Sequence, residues 1–164
     1  MSDGLAWFNS LTDEEAQERL YACLALPTWA ATVAAGRPYE TLSRLMARVD
    51  LEMDKLADAD WLQAFAAHPR IGERGGSSAA TSEREQFKVM QATDETLSAL
   101  RVENQAYEDK FGHIFLIAAA GRSADEILGA LRERMGNDPA TEVEVAAHEQ
   151  RKIARLRLLS LLDR

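Results

Sequence analysis

At 164 residues the chain is the size of one compact domain, large enough to bury about two-thirds of its unfolded surface without a disulfide or structural metal. A formal net charge of −8 disfavours general nucleic-acid binding, which needs a basic face, but permits a local cationic pocket for an anionic substrate. No apolar run reaches the roughly 18 residues of a membrane span, and the one cysteine, Cys23, has no partner for an internal disulfide.

In chain order the pattern is helical almost throughout, with no internal repeat or linker to divide residues 1–164 into more than one domain. Cys23, beside Leu20, Tyr21 and Leu24, reads as a core residue on an apolar helix face rather than a nucleophile. Its helix, over residues 13–26, opens on the capping-box pair Thr12 and Glu15 and ends at Pro27. A short helix over 28–35 is stopped by Gly36. Residues 39–53 carry Leu42, Leu45, Met46 and Val49 at helical spacing. Asp58 or Asp60 starts the next helix, which carries Trp61, Leu62 and Phe65 and runs into His68-Pro69, where proline ends it and biases His68 away from the α region. Residues 70–80, rich in glycine and serine, read as a loop. Ser82 and Glu85 form a second capping box for a helical region over 82–100, and residues 94–110 either continue it or form a separate helix stopped by Gly112. The apolar run 113–120 is either a buried extended segment or a core helix. Ser123 and Glu126 open a further helix closed by Gly136, and Asp138-Pro139 places an N-cap before a proline at N1 of a last helix reaching residue 162. The expectation is an all-α, multi-helix bundle of seven to nine helices.

Three places could carry chemistry. His68, where a helix stops before a glycine-rich loop, is either a polar helix-end residue or a group that transfers protons near neutral pH. Ser82, Glu85 and Gln86 cap a helix; the same residues also present a carboxylate, a hydroxyl, an amide and backbone N–H groups at a terminus that attracts anions. Arg157 stands between Leu156 and Leu158, next to an expected core stripe of Ile153, Leu156, Leu159 and Leu162, and is either solvated or edged into a pocket where its guanidinium would hold a carboxylate. His148, among Glu144, Glu149 and Gln150, reads as exposed, and His113 is undistinguished. There is no metal-binding motif, P-loop or dinucleotide fingerprint.

Taken together, Ala67-His68-Pro69-Arg70-Ile71-Gly72, Ser82-x-x-Glu85-Gln86, Asn104-x-x-Tyr107-x-x-Lys110-Phe111-Gly112, Phe115-Leu116-Ile117-Ala118, Gly121-Arg122-Ser123, Asn137-Asp138-Pro139 and the stretch from Lys152 to Leu158 occur in an order and spacing that span residues 5–162. This resembles the 2-oxo-4-hydroxy-4-carboxy-5-ureidoimidazoline (OHCU) decarboxylase family. The resemblance implies an all-helical homodimer that converts a ureidoimidazoline to (S)-allantoin, the last step from urate, without a cofactor or metal. It makes His68 the catalytic histidine; Glu85, which the resemblance places in the polar binding cluster, is expected to position His68 or the ureido group. It places Pro69 beside the substrate, Ser82 and Gln86 in its polar binding cluster, and Phe115, Leu116, Ile117, Ala118 and Ala119 along its ring. Arg157, with Arg155 two residues away, corresponds to the arginine that holds the substrate anion. One departure stands out: where many relatives have an aromatic and a proline after Phe-Gly, this chain has His113-Ile114.

The rival readings are a non-catalytic ureide-binding or helical interaction module on the same fold, and a metal-dependent hydrolase built on His68, Glu85 and His113 or His148. The start Met1-Ser2-Asp3-Gly4 lacks a signal-peptide pattern and the end Leu162-Asp163-Arg164 is not a peroxisomal signal, so a cytoplasmic location with no membrane or nucleic-acid partner is expected.

Overall fold

The computed structural model describes residues 2–72 and 84–164. Among them are nine helices: α1 (Asp3–Ser10), α2 (Asp13–Cys23), α3 (Pro27–Ala35), α4 (Leu42–Asp54), α5 (Asp58–Phe65), α6 (Phe87–Met90), α7 (Asp94–Phe111), α8 (Ala124–Arg134) and α9 (Pro139–Leu162). The fold is all-α, as expected, and no described helix is long and apolar enough to cross a membrane. By contact the described residues of 1–63 and 151–164 form one compact unit, and those of 64–150 a second.

In the first unit, α2 packs on α3 and α3 on α4. The capping box at Thr12 and Glu15 forms in both directions, at 2.9 and 3.2 Å. Helix α2 ends at Cys23, three residues before the expected stop. Pro27 is not a terminator but the first residue of α3, its fixed φ suited to N1, with Leu26 before it extended. Cys23 is buried, as read. Helix α1 was not anticipated; Ser2 caps it, and Leu5 and Phe8 fill its buried face. Gly4 lets α1 approach closely, because a Cβ there would lie 1.8 Å from the Leu162 carbonyl oxygen. Arg37 ties α1, α2 and α3 together: its guanidinium donates to the carbonyls of Ala34, Phe8 and Leu11 and pairs with Asp13 at 2.8 Å.

In the second unit, α7 packs on α8, and α6 on α8. Of the two readings for residues 94–110, the separate helix is the one observed: α6 ends at Met90, and Thr93 caps α7, accepting from Thr96 N–H at 3.3 Å. Gly112 takes φ +78 to end α7, as its position predicts. Residues 114–119 are neither helix nor strand, which settles the apolar run as a buried, non-helical segment. Asp138 caps α9 by accepting from Thr141 N–H at 2.9 Å. A core of Leu100, Tyr107, Phe115, Ile127 and Leu131 fills this unit.

Candidate active site

The chain leaves α5 in a turn: Ala67 N–H donates to Ala64 O and His68 N–H to Phe65 O, at 3.2 and 3.1 Å, before Pro69 ends the winding. His68 is half-buried, and its Nε2 donates to Gln150 Oε1 at 2.8 Å. Gln150 is fully buried on α9. The backbone that follows is pinned. Asn104 Nδ2 on α7 donates to Ile71 O at 3.0 Å, and Gln86 Oε1 accepts from Gly72 N–H at 2.8 Å. Gly72 has φ +87, a conformation that glycine adopts without a Cβ clash. Arg70 forks onto Glu108, with Nη2 to Oε2 at 3.0 Å. A histidine at a helix end would ordinarily swing in solvent; this one sits on a fixed turn with its ring held.

Gln86 therefore spends its carbonyl on Gly72, and among the described residues its Nε2 has no protein partner, leaving two donors for a ligand oxygen. Glu85, one residue earlier, is half-buried, and Pro69 is also half-buried. Ser82 lies outside the described residues.

The segment 114–119 is held by charged side chains. Arg134, almost fully buried, donates to Leu116 O from Nη1 and to Glu142 Oε1 from Nε, both at 2.7 Å. Glu142, fully buried, also accepts from Tyr107 OH and from Asn137 Nδ2. The Arg134 guanidinium covers the Phe115 ring at 4.5 Å. Burial, reinforced by the bond to Glu142, pushes the Tyr107 phenol far above its ordinary range. Nearer the segment's end, Glu149 Oε1 accepts from Ala118 N–H at 3.3 Å. The N–H groups of Ile117 and Ala119 have no partner among the described residues, although both residues are buried. Phe115, Leu116, Ile117 and Ala119 are buried and Ala118 is half-buried.

His113 fills the slot where the resemblance has an aromatic. Its ring packs against Phe65, Tyr107 and Phe111 at 5.5, 5.6 and 6.2 Å, and its Nδ1 donates to Ile114 O. His148 is exposed, as read. Among the described residues no group of three His, Cys, Asp or Glu side chains is arranged to hold a metal ion.

In the other unit, Arg155 Nη1 pairs with both carboxylate oxygens of Asp50, at 2.5 and 2.6 Å. Arg157 is half-buried and directs Nη1 to Ala22 O at 3.4 Å. The expected stripe is corrected here. Leu156 and Leu159 are exposed, and the buried face runs through Ile153, Ala154, Leu158 and Leu162, because the helix presents a row in steps of four.

A helical scaffold that holds an imidazole on a buried amide, on a turn pinned by two further side chains, is suited to positioning a proton-transfer group. The OHCU decarboxylase family model matches residues 9–159, and the chain belongs to that family. It is 34% identical over 156 residues to the uric acid degradation bifunctional protein TTL of Arabidopsis thaliana, covering 92% of this chain and 48% of that protein, so it spans about half the plant protein's length. It is 33% identical over 161 residues to the 2-oxo-4-hydroxy-4-carboxy-5-ureidoimidazoline decarboxylase of Amia calva, covering 94% of this chain and 92% of that one. The fold superposes on an OHCU decarboxylase crystallised in the presence of (S)-allantoin with a TM-score of 0.78 and 32% identity, over 94% of this chain and 100% of that chain. An (S)-allantoin synthase at 24% identity and TM-score 0.75, covering 97% of this chain and 53% of that one, shares the fold.

Proposed function

We propose that this chain is a carboxy-lyase that decarboxylates OHCU to (S)-allantoin, with His68 as its proton-transfer residue and no cofactor. The observation that carries the reading is the ring of His68, held at 2.8 Å by Gln150 on a pinned turn inside the region that matches the family.

The substrate's name places a hydroxyl and a carboxylate on one ring carbon and the ureido group on its neighbour. When the bond to the carboxylate breaks, its electron pair passes into the adjacent ring π-system, so the ring itself is the electron sink. The protein must then hold the breaking bond perpendicular to the ring, stabilise the charge that develops on ring oxygens and nitrogens, and deliver a proton to one face. His68 exchanges a proton at the reacting carbons, Glu85 assists it, and Pro69 lies beside the substrate. Gln86 Nε2 and the N–H groups of Ile117 and Ala119 supply hydrogen bonds to the developing charge, with Phe115, Leu116 and Ala118 forming the surrounding wall. Ser82 is assigned to the same binding cluster on the resemblance alone. Arg157 is assigned to the substrate anion on the resemblance alone; Arg155 is committed to Asp50.

We further propose that residues 1–164 act as one domain, in a cytoplasmic homodimer; the family resemblance supports the dimer, which sedimentation of the full chain tests. Circular dichroism of freshly generated OHCU, with EDTA present, tests the activity. Rapid appearance of optically active allantoin is the expected result. Racemic product at the spontaneous rate would overturn it and leave a ureide-binding module in its place, and loss of activity on chelation would favour a metal-dependent enzyme.

A further inference from the structure

Helix α9 carries a buried row in steps of four: Glu142, Ala146, Gln150, Ala154, Leu158 and Leu162. Alanine and leucine are what such a row calls for, and the two polar members need a reason. Glu142 has one in Tyr107, Arg134 and Asn137. Gln150 has a single protein partner among the described residues, the His68 ring, and its own Nε2 is buried with none. Placing an amide in a core with one end unmatched opposes stability. An apolar side chain would serve packing better.

What the amide adds is a carbonyl oxygen, which only accepts, set 2.8 Å from Nε2 of His68. The ring must then carry a proton on Nε2. In the neutral imidazole this makes Nδ1 the basic nitrogen. We propose that Gln150 is the positioning residue of this site: it fixes the His68 ring in its Nε2–H tautomer and orientation, so that proton exchange with the substrate runs through Nδ1. The tautomer rests on Gln150 Oε1 facing the ring, and its catalytic consequence on the decarboxylase reading above.

The test separates the two. Nitrogen-15 NMR of the histidine-labelled full chain, with His68 assigned by its absence from a His68→Asn spectrum, reads the tautomer without any substrate. The neutral wild-type ring is expected to show a protonated Nε2 and a bare Nδ1; a protonated Nδ1 overturns the proposal outright, with no variant needed. In Gln150→Met, close in size and unable to accept, the ring is expected to populate both tautomers. There kcat should fall on the order of 10–100-fold, as when groups that orient histidines are removed elsewhere, while KM stays within about threefold. A merely structural Gln150 would lower the melting temperature and leave both the tautomer and kcat in place, which also overturns the proposal. A wild-type Nε2–H ring in a protein that fails to turn over OHCU supports the tautomer assignment and sinks the decarboxylase reading instead.

Discussion

A histidine seated on a buried amide has lost the freedom that makes most helix-end histidines dispensable, and its replacement should be felt in chemistry before stability. His68→Asn keeps a polar side chain at a half-buried position but removes the titrating ring. Turnover should vanish while the far-ultraviolet spectrum stays helical; near-normal kcat in that variant would remove His68 from the mechanism. The arginines give a second contrast. Arg157→Met should raise KM for the anionic substrate with little change in melting temperature. Arg155→Met should leave KM alone and cost at most about 1 kcal/mol, the usual worth of a half-exposed pair such as Arg155–Asp50. At this scale the family pattern singles out His68, Gln86 and the 115–119 run in the sequence, but Gln150 reads only as a neighbour of exposed His148. The signal was present: Ala146, Ala154 and Leu158 stand four residues either side and beyond, on the row that Gln150 shares. Counting Leu156 and Leu159 as core hid it.

Among the elements, the non-helical run at 114–119 depends on groups distant in sequence. A helix satisfies its own carbonyls; this run lends Leu116 O to Arg134, which is neutralised in turn by Glu142 on α9. Glu142→Ala would leave a buried guanidinium without its carboxylate and Tyr107 OH and Asn137 without an acceptor. Breaking a buried pair from one side costs about 3–5 kcal/mol, which corresponds to a fall in melting temperature on the order of 10 °C for a chain this long. Thermal melts should show that loss, and a fall within a degree or two would mean the network contributes little. The periodicity of 113–120 left extended and helical readings equal because the deciding partners lie elsewhere in the chain. Local signals fared better: Thr12, Ser123 and Asp138 cap the helices their spacing announces. Pro27 was misread because a proline after an apolar run marks a helix start as readily as a stop.

For the molecule as a whole, all-α architecture and helix number were legible, whereas the division into two contact units was not, since no linker composition marks residue 63 or 151. Each unit holds one buried tyrosine. Tyr39 OH donates to Val33 O at 2.6 Å in the first, and Tyr107 OH to Glu142 in the second. Burial raises both phenols above the ordinary value of 10.0. A group with a raised folded-state pKa contributes stability that is complete below its unfolded value and is lost as the pH rises towards the folded one. The fold should therefore weaken from about pH 10 upward, as the unfolded chain ionises phenols that the native chain keeps protonated. Phenolate absorbance at about pH 11 should count fewer than the three tyrosines of the sequence in the native protein, and all three after denaturation. If residues 1–164 behave as one domain, both buried phenols should appear in the same alkaline transition, coincident with loss of helical dichroism. Release in two steps, with Tyr39→Phe abolishing one and Tyr107→Phe the other, would mean that the two units unfold independently, and the single-domain proposal would fail.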